Sequence, residues 1–105
     1  MNDAQFGFKT GDLSAIIKKL QGFDTLQKAV IFGSRAKGNY KNGSDVDIAV
    51  WLEGIDVTPE ISGLLNDDLP LPYHFDIVNY DTITNKDLTE HIDRVGIVFY
   101  ERPNT

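Results

Sequence analysis

Ala29-Val30-Ile31-Phe32-Gly33-Ser34-Arg35-Ala36-Lys37-Gly38, followed after a polar loop by Asp45-Val46-Asp47-Ile48-Ala49-Val50-Trp51-Leu52, is the stretch on which the reading of this chain turns. Ala29 to Phe32 is a short apolar run closed by a glycine, the pattern of a strand buried on both faces. Ser34 to Lys37 then begins a short helix that the Ser34 hydroxyl is able to cap. Gly38 to Ser44 is rich in turn formers and reads as a loop. From Asp45 to Leu52 the period is two: Val46, Ile48, Val50 and Leu52 point one way, and Asp45, Asp47, Ala49 and Trp51 the other. Both carboxylates therefore share a face.

Outward from this stretch the pattern alternates between helix and strand. Leu13, Ile16, Ile17 and Leu20 recur at helical spacing, with Thr10 or Asp12 to cap the start, Lys18 and Lys19 in the last turn and Gly22 past the end. Thr58-Pro59-Glu60 reads as a helix start with a capping hydroxyl, a proline at the first position and an acid in the first turn; Ile61, Leu64 and Leu65 form its buried side. His74 to Tyr80 is expected to be a third, central strand, with Phe75 and Ile77 on one face and His74, Asp76 and Val78 on the other. Thr84 and Asp87 are spaced as a capping box for a last helix whose core side is Leu88, Ile92 and Val95, and Gly96 suits its C-terminal cap. Ile97 to Tyr100 is a final short strand. Residues 1–10 and 102–105 are expected to be loosely ordered. The sum is one compact α/β domain over residues 1–105, a central sheet flanked by helices.

Composition narrows the function. A chain of 105 residues with 41% hydrophobic and 25% charged residues supports one core and argues against disorder. Cysteine is absent, which excludes a disulfide framework and thiolate metal sites and fits a reducing cytoplasm. The start has no secretory-signal pattern, and no apolar run is long enough to span a bilayer, so no membrane association is expected. The net charge of -6 disfavours general nucleic-acid binding, because an acidic surface repels phosphate backbones.

The chemistry-bearing residues are few. Asp45 and Asp47, at i and i+2 on a strand, have Cα atoms roughly 6–7 Å apart on the same side, so their carboxylates are able to converge on a cation. Magnesium takes oxygen ligands and commonly binds one or two carboxylates together with substrate phosphates. Taken alone, an Asp-x-Asp pair reads more simply as a solvated strand face. Gly33 lets a phosphate approach the backbone, Ser34 adds a hydroxyl and Arg35 and Lys37 add positive charge, although a lone Gly-Ser turn is also common as a plain strand-to-helix connection. The Walker pattern is absent. Asp76, set among Phe75, Ile77 and Val78, would be costly on a central strand unless paired or metal-bound, and is otherwise a strand-end acid facing water. His74 shares the Asp76 face, with a structural or surface role its simpler reading. Ser44 reads as the end of an Asn-Gly-Ser turn or as a support for the metal site. Trp51 and Tyr40 read as packing residues or base-stacking platforms, and His91 as solvated.

Gly33-Ser34, ten intervening residues, then Asp45-Val46-Asp47-Ile48, with a later Phe75-Asp76-Ile77, resembles the DNA polymerase β-type nucleotidyltransferase superfamily. Within it, Gly33-Ser34-Arg35-Ala36-Lys37-Gly38, Ser44-Asp45-Val46-Asp47 and the ending Ile92-Asp93-Arg94-Val95-Gly96-Ile97-Val98-Phe99-Tyr100 are similar to the minimal nucleotidyltransferases. The resemblance implies a small single-domain nucleotidyltransferase fold with a central mixed sheet. It implies Asp45, Asp47 and Asp76 as catalytic metal ligands for two magnesium ions. It further implies ATP as substrate, with Gly33, Ser34, Arg35, Lys37 and Ser44 on the nucleotide phosphates. Members of this group are often encoded with a HEPN-domain toxin and act as its antitoxin by attaching AMP to it, so that partner and that activity are expected here. Two rival readings are an antitoxin that works by binding alone and a transferase acting on a small molecule such as an aminoglycoside.

Overall fold

The computed structural model describes residues 2–103. Four strands form one sheet in the order β3-β2-β1-β4. Strand β1 (Leu26–Phe32) lies antiparallel to both β2 (Val46–Leu52) and β4 (Ile97–Glu101), whereas β2 runs parallel to β3 (Phe75–Asn79), so the sheet is mixed as expected. Helix α1 (Asp12–Leu20) precedes β1, and the one-turn helix α2 (Gly33–Lys37) joins it to the loop before β2. Helix α3 (Thr58–Gly63), prolonged by a wide π-helical turn over Leu64–Asp68, makes the crossover to β3, and α4 (Lys86–Val95) leads into β4.

The alternation in β2 divides the core in two. Val46, Ile48 and Val50 join Ile31, Phe75, Ile16, Leu20, Ile61 and Leu65 in the larger cluster, where α1 and α3 cover the sheet. Ala49 joins Val30, Phe32 and Ile92 of α4 in a smaller cluster on the other face, with Trp51, Val78 and Leu88 packed around it. Asp47 belongs to this second face, because the antiparallel register sets Phe32 opposite Asp47 and Val30 opposite Ala49.

Several local expectations are corrected. Residues 2–10 are not loose: Asp3–Phe6 forms a 3-10 turn, and Phe6 and Phe8 are buried in the larger cluster. Burying two phenyl rings stabilises by about 2 kcal/mol each and offsets part of the cost of ordering the segment. Helix α1 has no cap from Thr10 or Asp12. The carboxylate of Asp3 reaches across to accept from Gly11 N (3.2 Å) and Leu13 N (2.7 Å). Ser34 does not cap α2, whose N-cap is Phe32. Thr58 does not cap α3; Asp56 accepts from its N–H at 2.9 Å instead. Asn85, not Thr84, caps α4, accepting from Asp87 N and Leu88 N. At the other end Arg102 is tied down, donating to the carbonyls of Leu26 (3.1 Å) and Phe23 (2.5 Å). The part of that expectation that concerns Met1 and residues 104–105 lies outside the described residues. Strand β3 is an edge strand, not a central one, and Asp76 on it is exposed, so no burial penalty forces a partner upon it. Among the described residues, no helix is long and apolar enough to cross a membrane.

Candidate active site

The acids meet because of strand register. Asp47 is the second residue of β2, and the parallel pairing of β2 with β3 sets Asp76 directly beside it. Neighbouring strands lie roughly 4.8 Å apart, so the two carboxylates emerge side by side on one face. Phe32 flanks Asp47 from the opposite strand, and Gly33 follows it immediately. Across the end of the sheet the row thus reads Phe32–Asp47–Asp76, with the β1-to-α2 turn closing over it. Asp45 stands just before β2, exposed, with His74 Nδ1 3.4 Å from its Oδ1. His74 also accepts from Val46 N through its carbonyl at 2.9 Å, which joins the two strand beginnings.

Gly33 is the residue this junction requires. Its φ of +73° is left-handed, and a Cβ there would collide with Asp47 Oδ2. The glycine therefore lets the turn lie directly against the acid. The first amides of α2 have no side-chain cap and remain open at the same place.

Asp47 carries the electrostatic signature of the site. Its pKa is raised from 3.8 to about 6, first by burial, then by the charges of Asp76 and Asp45, with His74 opposing. Like charges crowded around a half-buried carboxylate favour a proton or a cation there. Among the described residues no group of three or more His, Cys, Asp or Glu side chains is placed to hold a metal ion by itself. The donor set is nonetheless all oxygen and doubly or triply acidic, and magnesium sites of this kind are completed by substrate phosphates. Asp45, Asp47 and Asp76 thus fit magnesium by chemical type.

The other expected site residues divide between this place and the opposite face of the sheet. Lys37 is exposed at the end of α2, and Ser34 is half-buried near its start. Arg35 turns away from the acids. It is only 3% exposed, and its Nε and Nη2 donate to the Ser44 carbonyl (3.2 and 2.7 Å) while Nη1 donates to the Phe6 carbonyl (3.0 Å). The rings of Phe8, Tyr40 and Tyr73 surround its guanidinium at 5.1 to 5.7 Å. A guanidinium so held does not reach a phosphate at Gly33, because it points to the opposite face of the sheet. Ser44 belongs to that arrangement, its Oγ accepting from Lys41 N at 2.9 Å. Trp51 stacks on Tyr80 (4.5 Å between centroids) with Lys28 Nζ 4.2 Å over its ring, so that face is already occupied by neighbours. His91 is not simply solvated: it meets Phe32 edge-on at 6.0 Å.

One positioning residue escapes a reading of the sequence. Asn66, in the π-helical turn, donates to Phe75 O (2.9 Å) and accepts from Phe75 N (2.8 Å). This paired bond occupies the free edge of β3 one residue before Asp76. An asparagine directly after the apolar Leu64-Leu65 pair was the available signal.

The comparisons with known proteins agree with this geometry. Residues 14–105 match the family model described as polymerase beta, nucleotidyltransferase. No curated protein sequence matches the chain. Among solved structures, a chain of a toxin–antitoxin complex with AMP-PNP is 25% identical, with a TM-score of 0.71 over 87% of this chain and 74% of that one. A chain from a mutant of the toxin–antitoxin MntA-HpeT is 26% identical, with a TM-score of 0.68 over 85% of this chain and 72% of that one. The complex of a tri-AMPylated Shewanella oneidensis HEPN toxin with an MNT antitoxin shares the fold at 19% identity and a TM-score of 0.59, over 86% of this chain and 73% of that one. With its strand order, its glycine turn and its paired aspartates, and with the family match spanning residues 14–105, the chain belongs to the polymerase beta nucleotidyltransferase family.

Proposed function

We propose that this chain transfers AMP from ATP to a hydroxyl group of a partner protein, a HEPN-domain toxin, and thereby acts as its antitoxin. The observation that carries the reading is the register that sets Asp47 beside Asp76 under the Gly33 turn. The similarity to chains of toxin–antitoxin complexes, one of them with AMP-PNP, supports the choice of nucleotide and partner.

In this reading Asp45, Asp47 and Asp76 hold magnesium. When bound, the metal supplies Lewis-acid polarisation of the α-phosphate and neutralises the charge of the departing pyrophosphate. Gly33 and Ser34 cradle the triphosphate through open backbone amides and the serine hydroxyl, and Lys37 is free to swing toward its outer oxygens. Asp76, exposed on the edge strand, faces the side from which an acceptor approaches and takes the proton of its hydroxyl. The hydroxyl oxygen then bonds to the α-phosphorus as the bond to the pyrophosphate oxygen breaks. Positioning and charge neutralisation supply most of the rate, so residues that only hold geometry, such as Gly33 and Asn66, contribute strongly. Arg35 and Ser44 have no part in phosphate contact here; they shape the loop that delivers Asp45.

The test is incubation of the purified chain with its co-encoded partner and ATP labelled at the α-phosphate, with and without magnesium. Label on the partner that disappears with EDTA and with Asp47→Asn is expected. Neutralisation of the partner by Asp47→Asn without any label transfer would assign the chain to contact inhibition and sink the enzymatic reading. Label passing to an aminoglycoside in the absence of a partner would sink the choice of acceptor.

A further inference from the structure

On the face of the sheet opposite the acids, Arg35 forms the wall of a second cavity of about 240 Å³. Lys9, Lys41, Tyr40 and Tyr73 line it with Arg35, and no Asp or Glu does. In a chain of net charge -6, three cations around one small cavity with no acid in its lining is a local reversal of sign.

The guanidinium is the unusual part. Arg35 is 3% exposed, yet among the described residues it forms no ion pair. Of the five N–H groups of a guanidinium, three are spent on the carbonyls of Phe6 and Ser44, which leaves two, and no carboxylate ion-pairs with the charge. A buried charge without a counter-ion is costly, and carbonyl dipoles offset only part of that cost. Asp12 is held behind Tyr73, its Oδ2 accepting from the Tyr73 hydroxyl (2.5 Å) and from Lys9 N (3.1 Å); it does not line the cavity and forms no ion pair with Arg35. The aromatic rings shield the guanidinium from water on its other sides. The cavity is a direction from which an anion reaches it, and Lys9 and Lys41, both exposed, line it.

We propose that this cavity is a binding site for a phosphate group, distinct from the ATP site at Gly33. A phosphate monoester carries close to two negative charges and three acceptor oxygens, which matches one fixed guanidinium and two mobile ammonium groups better than a singly charged, planar carboxylate does. The volume is below that of a whole-nucleotide pocket, so the site grips the phosphate and leaves any attached group at the mouth, against Tyr40. The backbone is built for this closeness. Gly7 has a φ of +76°, and a Cβ there would stand 2.5 Å from Tyr40 Cε2. A side chain at Gly7 would therefore push Tyr40 off the guanidinium. Because Arg35 holds the Ser44 carbonyl, occupancy of the cavity stiffens the loop immediately before Asp45.

The experiment is a ¹⁵N–¹H NMR titration of the full chain with inorganic phosphate in EDTA, which removes metal-dependent binding at the acids. Saturable shifts of the Gly7, Lys41, Asn42 and Gly43 amides are expected, with acetate binding clearly more weakly. The Lys9→Ala/Lys41→Ala double substitution, both at exposed positions, raises the dissociation constant by about tenfold. Asp47→Asn leaves it unchanged. AMP separates the two sources of the phosphate: tighter binding than inorganic phosphate, lost with Tyr40→Leu, assigns a nucleotide, and equal binding assigns free phosphate. Shifts confined to Gly33 and Ser34, an unchanged constant in the double variant, or equal binding of acetate would each overturn the proposal.

Discussion

Helix α2 is only five residues long, yet its two sides meet opposite kinds of environment. At its start, Gly33 opens onto Asp47 and Asp76, where negative charges crowd one another and, among the described residues, no Lys or Arg forms an ion pair with them. One residue past Ser34, Arg35 enters the other face of the sheet, where a positive charge is buried among aromatic rings and held by carbonyls. The acid side is left electrostatically open and is held in shape by backbone register. The basic side is nearly closed and holds other things in shape, namely the N-terminal segment through Phe6 and the Asp45 loop through Ser44. The difference separates two ways of holding charge that look alike as letters: the acids crowd one another beside the turn, while the guanidinium fastens two segments through three N–H groups and lines a cavity of its own.

Substitutions can break this contrast in order of effect. The largest should come from the acid side. Asp47→Ala should lower nucleotide transfer by about 10³-fold or more, comparable to the loss of a principal electrostatic stabiliser, with no loss of folded protein by circular dichroism. Arg35→Met should do the reverse. Leaving the Phe6 and Ser44 carbonyls unpaired should cost about 3 kcal/mol of stability in denaturant titration, and Arg35→Lys should not restore it, since an ammonium cannot span both carbonyls in one plane. If Arg35→Met instead left stability intact while abolishing transfer, the division of α2 into two roles would fail.

Gly33→Ala tests the hinge between the two sides. The left-handed φ and the clash with Asp47 together predict about 2 kcal/mol of destabilisation and a loss of activity that exceeds it, since the acid itself is displaced. The smallest effect concerns pH. Asp47 titrates near 6 in the folded chain against 3.8 for the free acid, so the folded state holds the extra proton between those values. The contribution of this group to stability is therefore full below pH 3.8 and is lost as pH rises to about 6. Asp47→Asn should raise the melting temperature above pH 6 by an amount worth on the order of 1 kcal/mol after solvent screening, and should leave it nearly unchanged at pH 4. Magnesium should narrow the gap by stabilising the wild-type chain alone at high pH. A gap that is the same at both pH values would show that the crowding of Asp45, Asp47 and Asp76 has no energetic consequence.

How far the residues alone carried the reading depends on the range of the interaction. The face shared by Asp47, Ala49 and Trp51 follows from a period of two, which the backbone enforces whatever surrounds it. The helical side of Leu13, Ile16 and Leu20 follows in the same way from a period near 3.6. Caps were the poorest match, because they are decided by single hydrogen bonds that several nearby side chains compete to make. Asp56 displaced Thr58, Asn85 displaced Thr84, and Asp3 reached α1 from a turn that itself depends on Phe6 being buried. The N-terminal segment looked loose since its apolar residues, Phe6 and Phe8, have no periodicity of their own; they pack on elements far along the chain. Arg35 neighbours Ser34 in sequence, yet a helix sends adjacent side chains about 100° apart, so proximity in sequence carries little information about direction.

By itself, the sequence determined the alternation of helix and strand, the glycine turn and the face on which Asp45 and Asp47 lie. These rest on local periodicity and on the backbone freedom of glycine, both properties of neighbouring residues. Only the tertiary structure decided that β3 joins β2 in parallel at the edge of the sheet, so that Asp76 stands next to Asp47 and exposed. It alone decided that Arg35 is buried against Phe6, Ser44 and Tyr73. Strand order and long-range burial are set by which apolar faces find each other across the whole chain, and no short window of residues contains that choice.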